Sequence, residues 1–359
     1  MTADRSPTAA SAAPRATAPT ADGGPHDRLG RPLRDLRLSV TDRCSFRCDG
    51  CMPKGRRYAF APRADLLRFE ELVRITRVAC TLGVRTVRIT GGEPLLRRDL
   101  PTLVEALSGL GTLDDLALTT NGQRLADAAP ALADAGLQRV TISLHSLDPA
   151  RFSDISGVGA SLDDVLAGVR VAAARGLRPV KLNMVVMKDV NEDDIVPLAR
   201  FARNHGHVAR YIEYMDVGTV NAWDQARVVP AREIVARIDR VWPLEAIAGD
   251  RPDGTAQRYR FRDGGGEIGV IPSVTAPFCG SCTRLRVSSQ GQLYTCLFGR
   301  AGVDLRTPLR DGIDDDQLRG LLANRWRQRD DRYSEQRTAD LEAGRFVPQT
   351  KVEMFRIGG

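Results

Sequence analysis

At 359 residues the chain can bury a large core, and one barrel-sized unit with a smaller companion is the natural expectation. No apolar run approaches the ~18 residues of a membrane span, so no membrane association is expected. The formal charge of +7 favours an anionic partner, while aromatics at 5% are too few for single-strand stacking, so a small anion is expected and nucleic acid is not.

Residues 1–25 are rich in Ala, Pro and Thr and lack the apolar block of a secretion signal. They read as a disordered tail; an organelle transit peptide fits less well, because prolines and acidic residues interrupt the pattern. A cytoplasmic protein is expected, and in that compartment clustered cysteines point to metal rather than to disulfides.

The run LRLSV (36–40) reads as a first buried strand, and TDRCSFRCDGCMP follows it with Cys44, Cys48 and Cys51. Helical periods at 69–83, 97–110 and 162–176 then separate strand-like runs at 84–90, 116–120, 139–144, 180–186 and 209–215. Six β/α repeats between about residues 36 and 240 predict an α/β fold whose parallel sheet is covered by helices, open or curled into a barrel. Ligands of such sheets lie at the carboxyl ends of the strands, where the cysteine segment falls. After residue 240 the rhythm changes to short β-like runs with Gly-rich turns, a helical stretch at 315–328 and a tail ending Gly358–Gly359.

The seven cysteines divide as three, three and one. Cys279, Cys282 and Cys296 form the second group; Cys80, inside a helical pattern, reads as a buried structural thiol. Zinc would need a fourth ligand, yet His26, His145, His205 and His207 all lie apart from both groups in sequence. The fold can still bring one close, so a two-zinc nucleic-acid binder stands as an alternative. A [4Fe–4S] cube held by three thiolates leaves one iron for a non-protein ligand, and that fits each triad better. Further along, TGGEP (90–94) closes a strand: Gly91 and Gly92 let backbone approach a ligand, Glu93 can accept from an ammonium, and Pro94 stiffens the turn. Strand alternation puts Arg284 and Arg286 on one face with Leu285 opposite, and likewise pairs Arg37 with Ser39 and Arg88 with Thr90. Arginine forks of this kind suit phosphate oxygens.

The spacing C-x3-C-x2-C resembles the signature of the radical S-adenosylmethionine enzymes. The series LRDLRLSVTDRCSFRC, RITGGEPLLRRDL, TTNG, RYIEYMD, CGSCTRLRVSS and a terminal Gly-Gly resembles, more narrowly, the GTP 3′,8-cyclase family, from about residue 26 to the end. That resemblance implies a partial (β/α)6 TIM-like barrel over 26–240 and a C-terminal α+β extension over 241–359, carrying the second iron–sulfur site and the Gly-Gly tail. It implies two [4Fe–4S] clusters, held by Cys44, Cys48 and Cys51 and by Cys279, Cys282 and Cys296. The first would bind and cleave S-adenosylmethionine, releasing a 5′-deoxyadenosyl radical; the second would meet the guanine ring of GTP. The radical would take hydrogen from ribose C3′, the carbon radical would attack guanine C8, and reduction would give 3′,8-cyclo-GTP, the first committed step of molybdenum-cofactor biosynthesis.

By position the resemblance assigns S-adenosylmethionine contacts to Gly91, Gly92, Glu93, Ser143 and Met215. It assigns GTP contacts to Arg37, Arg88, Thr119, Lys181, Arg210 and the run Arg284, Leu285 and Arg286, with Arg284 and Arg286 as the catalytic pair. Implied partners are a flavodoxin- or ferredoxin-type electron donor, a downstream cyclic pyranopterin monophosphate synthase and a second copy in a homodimer. The terminal glycines would enter the substrate site from inside the barrel. With no G-x-x-x-x-G-K-[ST] loop, a phosphate-hydrolysing GTPase is not supported. Another two-cluster radical enzyme with a different substrate is the remaining alternative. Three positions depart from the family pattern: Gly50 stands where an aromatic packs on adenine, His145 where Asp is common, and Thr86 where some relatives carry Lys, which Arg85 or another cation would then replace.

Overall fold

The structure, a computed structural model, describes residues 23–157, 159–248 and 254–358. Residues 1–22 of the expected tail, and Gly359, lie outside the described residues. The strands are Asp35–Ser39 (β1), Thr86–Thr90 (β2), Asp115–Thr120 (β3), Arg139–Ser143 (β4), Lys181–Val186 (β5), Val208–Glu213 (β6), Leu244–Ile247 (β7), Gln257–Phe261 (β8), Glu267–Ile271 (β9), Arg284–Val287 (β10), Gln292–Tyr294 (β11) and Val303–Asp304 (β12).

Their order is β12-β11-β10-β1-β2-β3-β4-β5-β6-β9-β8-β7. Every pairing from β10 through β1 to β6 and on to β9 is parallel, and only the outer pairs are antiparallel. The sheet therefore has the six β/α repeats expected, and the C-terminal stretch extends it at both edges: β10 joins beside β1 and β9 beside β6. Among the described residues β12 and β7 end the sheet without pairing to each other, so the barrel they form is incomplete.

Alternation along the strands sorts the side chains into two populations. Leu36, Leu38, Val87, Ile89, Leu116, Leu118, Val140, Ile142, Leu182 and Met184 pack outward into the main apolar core. The covering helices meet them there. Helix Phe69–Thr81, for example, buries Leu72, Ile75, Val78 and Ala79, and its first turn is closed by reciprocal bonds between Arg68 and Glu71. Each such buried aliphatic side chain contributes about 1.5–3 kcal/mol. The opposite set, Arg37, Arg88, Thr90, Thr119, Ser143, Asn183, Arg210, Arg284 and Arg286, turns inward and lines one cavity. Cys80 is buried in helix Phe69–Thr81, as a structural thiol would be. Among the described residues no helix is long and apolar enough to cross a membrane.

Candidate functional site

The first triad sits on the loop leaving the carboxyl end of β1. Backbone bonds from Cys51 and Met52 to the Cys48 carbonyl, at 3.0 and 2.8 Å, curl the loop into a turn. Arg47 ties it further, donating to the carbonyls of Cys44 and Phe46 at 2.9 and 2.8 Å. The TGGEP segment lies directly against this loop, with Gly92 N–H on the Thr41 carbonyl at 2.8 Å and Glu93 N–H on that of Arg43 at 2.7 Å. A Cβ at Gly92 would stand 2.3 Å from the Arg43 oxygen, so only glycine permits the approach. Asn121 completes the frame, donating to the Ser45 hydroxyl at 3.1 Å and lying 4.0 Å from the Cys44 sulfur.

The second triad lies at the other end of the sheet. Cys279 and Cys282 precede β10, which runs parallel to β1, and Cys296 follows β11, which runs antiparallel to β10. All three therefore fall at the amino end of β1, opposite Cys44, Cys48 and Cys51. The expectation of ligands at the carboxyl ends describes only the first triad, because the sequence does not disclose that β10 pairs with β1. All six cysteines nonetheless line the same cavity, of about 310 Å³.

The two triads differ in their electrostatics. Burial pushes the Cys44 thiol up to about 11, and nearby Glu93 adds to the rise; Cys48 and Cys51 are driven up by burial as well. These thiols keep their protons until a metal displaces them. Burial also lifts Cys296, to about 11, with Asp331 adding to it. For Cys282 burial acts upward too, but the charges of Arg284 and Arg329 and a bond from Arg284 to its sulfur at 3.3 Å outweigh it and bring the thiol down to about 6. The donor sets fit iron–sulfur clusters. Thiolates on a cube attach to separate irons, and among the described residues no group of three or more His, Cys, Asp or Glu is gathered closely enough for a single ion. A two-zinc arrangement finds no ligand set there.

Between the triads runs a band of buried cations. Register places Arg286, Arg37 and Arg88 level on three adjacent strands. Burial, and then mutual repulsion, lowers Arg37 well below its ordinary value, Arg88 to about 9, and Arg210 and Arg286 to about 10. So crowded a set of guanidiniums calls for an anion between them. Ser39 Oγ and Asn183 Oδ1 are also buried with no partner among the described residues. Gly358 enters the same space: its carbonyl accepts from Arg286 Nη1, and Met354 and Phe355 line the wall.

Gly91, Gly92, Ser143, Met215, Arg37, Arg88, Thr119, Arg210, Arg284 and Arg286 thus share one cavity. Three expected site residues do not line it. Leu285 is fully buried in the outward core, the consequence of strand alternation. Glu93 is 1% exposed, and its carboxylate is spent on Leu95 N–H at 2.9 Å, Thr120 hydroxyl at 2.7 Å and Asn121 N–H at 2.6 Å, so it orders the loops around the first triad instead of facing a ligand. Lys181 opens β5, at the level of Thr141 and Val208, near the strands' amino ends. Arg85 does not take the place of the missing lysine at Thr86, since it binds the carbonyls of Cys80 and Val84 outside the barrel.

His145 lines the cavity as a neutral ring: burial lowers it to about 4, and its Nδ1 accepts from Val185 N–H at 3.2 Å. Residues that sequence reasoning left without a role are Asn121 and Tyr214, visible in TTNG and RYIEYMD, and Asn183 and Arg329, which carry no local signal. A Cβ at Gly50 would meet only Tyr214 Cε2, at 3.8 Å, so there is room for a ring. Gly50→Phe is expected to tighten S-adenosylmethionine binding by about 2–10-fold, the yield of one aromatic contact, read by equilibrium dialysis; unchanged or weaker binding would mean that Tyr214 already fills that place.

The chain is similar to known proteins along nearly its whole length. Residues 38–202 match the family model described as Radical SAM superfamily, and residues 207–335 that of Molybdenum Cofactor Synthesis C. The GTP 3′,8-cyclase of Acidothermus cellulolyticus is 50% identical over 356 residues, covering 93% of this chain and 98% of that protein. Those of Xanthomonas axonopodis pv. citri and Staphylococcus aureus are 47% and 42% identical, each over 93% of this chain and 98% of the relative. Among solved structures, Streptococcus suis SuiB bound to S-adenosylmethionine superposes with a TM-score of 0.57 at 18% identity, over 81% of this chain and 68% of that one, a likeness of fold. With identity of this order along nearly its whole length, the chain belongs to the GTP 3′,8-cyclase family of the radical S-adenosylmethionine superfamily.

Proposed function

We infer that this chain converts GTP to (8S)-3′,8-cyclo-7,8-dihydroguanosine 5′-triphosphate, using S-adenosylmethionine and a reductant, as the first step of molybdenum-cofactor biosynthesis. The observation that carries the reading is the single cavity walled by two cysteine triads at opposite ends, with a band of buried arginines between them. A chain that only cleaved S-adenosylmethionine would have no use for the second triad or the band. When bound, the first cluster would supply the electron for that cleavage and the second would seat the guanine ring.

The chain's own residues do the rest. Residues 26–240 carry the S-adenosylmethionine end, where Gly91, Gly92, Ser143 and Met215 form the contact surface and Glu93 and Asn121 hold the loops. Arg37, Arg88, Arg210, Arg284 and Arg286 bind and orient the triphosphate, and Thr119 lies at the same wall. Residues 241–359 bring the second triad and the tail. Apolar wall residues, Val185, Met187, Ile212 and Phe298 among them, keep water from a carbon radical. Electron supply by a flavodoxin- or ferredoxin-type carrier, hand-off to a cyclic pyranopterin monophosphate synthase and a homodimeric assembly belong to the same reading.

Lys181 gives this reading a pH signature. Burial, and then Arg210, Arg139 and Arg88, lower its ammonium to about 8. Below that pH it is charged and adds to the attraction for triphosphate; above it the charge is lost. GTP affinity is expected to hold steady up to about pH 8 and to weaken beyond it by up to about tenfold per pH unit, and Lys181→Met should remove the inflection. Lys181 stands outside the cavity wall and acts here through its charge; isothermal titration between about pH 7 and 9 checks this, and an identical slope in the variant would count against Lys181 as a source of that attraction. The function itself is tested by anaerobic turnover of the reconstituted protein with S-adenosylmethionine, dithionite and GTP. Formation of 5′-deoxyadenosine together with cyclised GTP supports it, whereas 5′-deoxyadenosine with untouched GTP would mean the right chemistry on another substrate.

A further inference from the structure

A buried ionic cluster that the proposed chemistry does not use fastens the second triad from behind. Asp27 has a fully buried side chain, and all of its capacity is taken. Its Oδ1 accepts the N–H groups of Leu29 and Arg31, each at 2.9 Å, and its Oδ2 accepts Arg31 Nε at 2.6 Å and Arg329 Nη1 at 3.2 Å. The two arginines, each 2% exposed, then reach the cysteine turn. Arg31 Nη1 donates to the Cys279 carbonyl at 2.7 Å and to the Asp331 carbonyl at 2.8 Å, while Arg329 Nη1 donates to the Cys282 carbonyl at 2.6 Å. Trp326 secures the pair, its indole N–H on the Arg31 carbonyl at 3.0 Å and its ring 4.6 Å from the Arg329 guanidinium.

The turn being held has little stiffness of its own. Gly280 and Ser281 lie between the two cysteines in a single three-residue turn, and beyond it the Thr283 carbonyl is bound by the N–H groups of Arg34 and Asp35, again from the N-terminal segment. A guanidinium fork can hold a carboxylate and a carbonyl at once in fixed geometry, which an ammonium cannot. Removing Asp27 would leave Arg31 buried against the turn without its carboxylate and Arg329 with only that of Asp331, at 3.4 Å.

We propose that Arg31 and Arg329, locked together by Asp27, are positioning residues that set the separation of Cys279 and Cys282 for the second cluster. The proposal rests on the reading that this triad holds a cluster, and the test keeps the two apart. Asp27→Asn, Arg31→Ala, Arg31→Lys and Arg329→Lys are reconstituted anaerobically and assayed for iron and sulfide per folded chain. The paramagnetic signal of the second cluster is recorded in a background lacking Cys44, Cys48 and Cys51. Asp27→Asn and Arg31→Ala are expected to lose about half the iron, one of two equal clusters, while the first cluster still responds to S-adenosylmethionine. The lysine variants should keep the iron but broaden the second cluster's signal, and they carry the test if Asp27→Asn does not fold. Full iron with an unaltered signal in all four variants overturns the proposal, as does equal loss of both clusters. Cys279→Ser is the separate control: if it retains all its iron, the cluster reading fails rather than the clamp.

Discussion

Replacing Cys48 with Ala is expected to abolish S-adenosylmethionine cleavage, whereas replacing Cys279 with Ala leaves cleavage in place and removes the cyclised product. Cys48 sits in the centre of the loop, its carbonyl taking the bonds from Cys51 and Met52, and it lines the same cavity as Gly91 and Gly92. With two ligands left, the first cluster has no stable seat, and 5′-deoxyadenosine formation should fall to background, a loss of at least about 10⁶-fold on typical enzymatic accelerations. Cys279 belongs to the opposite end of the barrel, where none of the loops around the first triad is disturbed. Its loss should cost the cyclised product about 10²–10³-fold, the scale of removing one preorganised contact to the reacting group, while uncoupled 5′-deoxyadenosine persists. Chromatography of both products from the two variants reads the split; loss of cleavage in Cys279→Ala would show that the triads do not act separately.

Gly358→Ala should lower GTP turnover by about 5–150-fold with both clusters retained. The residue has φ +69°, and a Cβ there would lie 2.3 Å from Thr90 Cγ2 and 2.8 Å from Ser39 Oγ, at the carboxyl ends of β2 and β1. Clash and left-handed backbone together cost about 1–3 kcal/mol, enough to expel the last turn from the cavity and take its carbonyl from Arg286. The rest of the tail stays moored. Lys351 Nζ is bound to the Asp216 carboxylate and carbonyl and to the Tyr333 hydroxyl, and Thr219 exchanges bonds with the Lys351 backbone at 3.0 and 3.1 Å. Steady-state turnover alongside iron content checks this. Turnover equal to the parent, or loss of iron, would contradict a role for the tail in shaping the cavity.

The barrel was legible because its signals are local. Alternating periods identify β1 to β6, and the same alternation places Arg37, Arg88, Arg284 and Arg286 inside and Leu285 outside. What the sequence hid depends on contacts between distant segments. Glu93 reads locally as a ligand for an ammonium, but the fold gives its carboxylate to Thr120 and Asn121 at the end of β3. The second triad's position at the far end of the barrel follows from β10 pairing parallel to β1, and nothing local to CGSCTRLRV announces that neighbour. Arg31 and Arg329 lie about 300 residues apart, and only the fold brings them to one carboxylate.

In the proposed reaction the band of arginines holds GTP with its ribose toward the S-adenosylmethionine end of the cavity. GTP deuterated at C3′ is incubated anaerobically with the reconstituted protein, S-adenosylmethionine and reductant, and 5′-deoxyadenosine is read by mass spectrometry. Deuterium is expected in 5′-deoxyadenosine and absent from the cyclised product. Unlabelled 5′-deoxyadenosine formed alongside product would contradict it, because the hydrogen would then come from elsewhere on the nucleotide or from the protein.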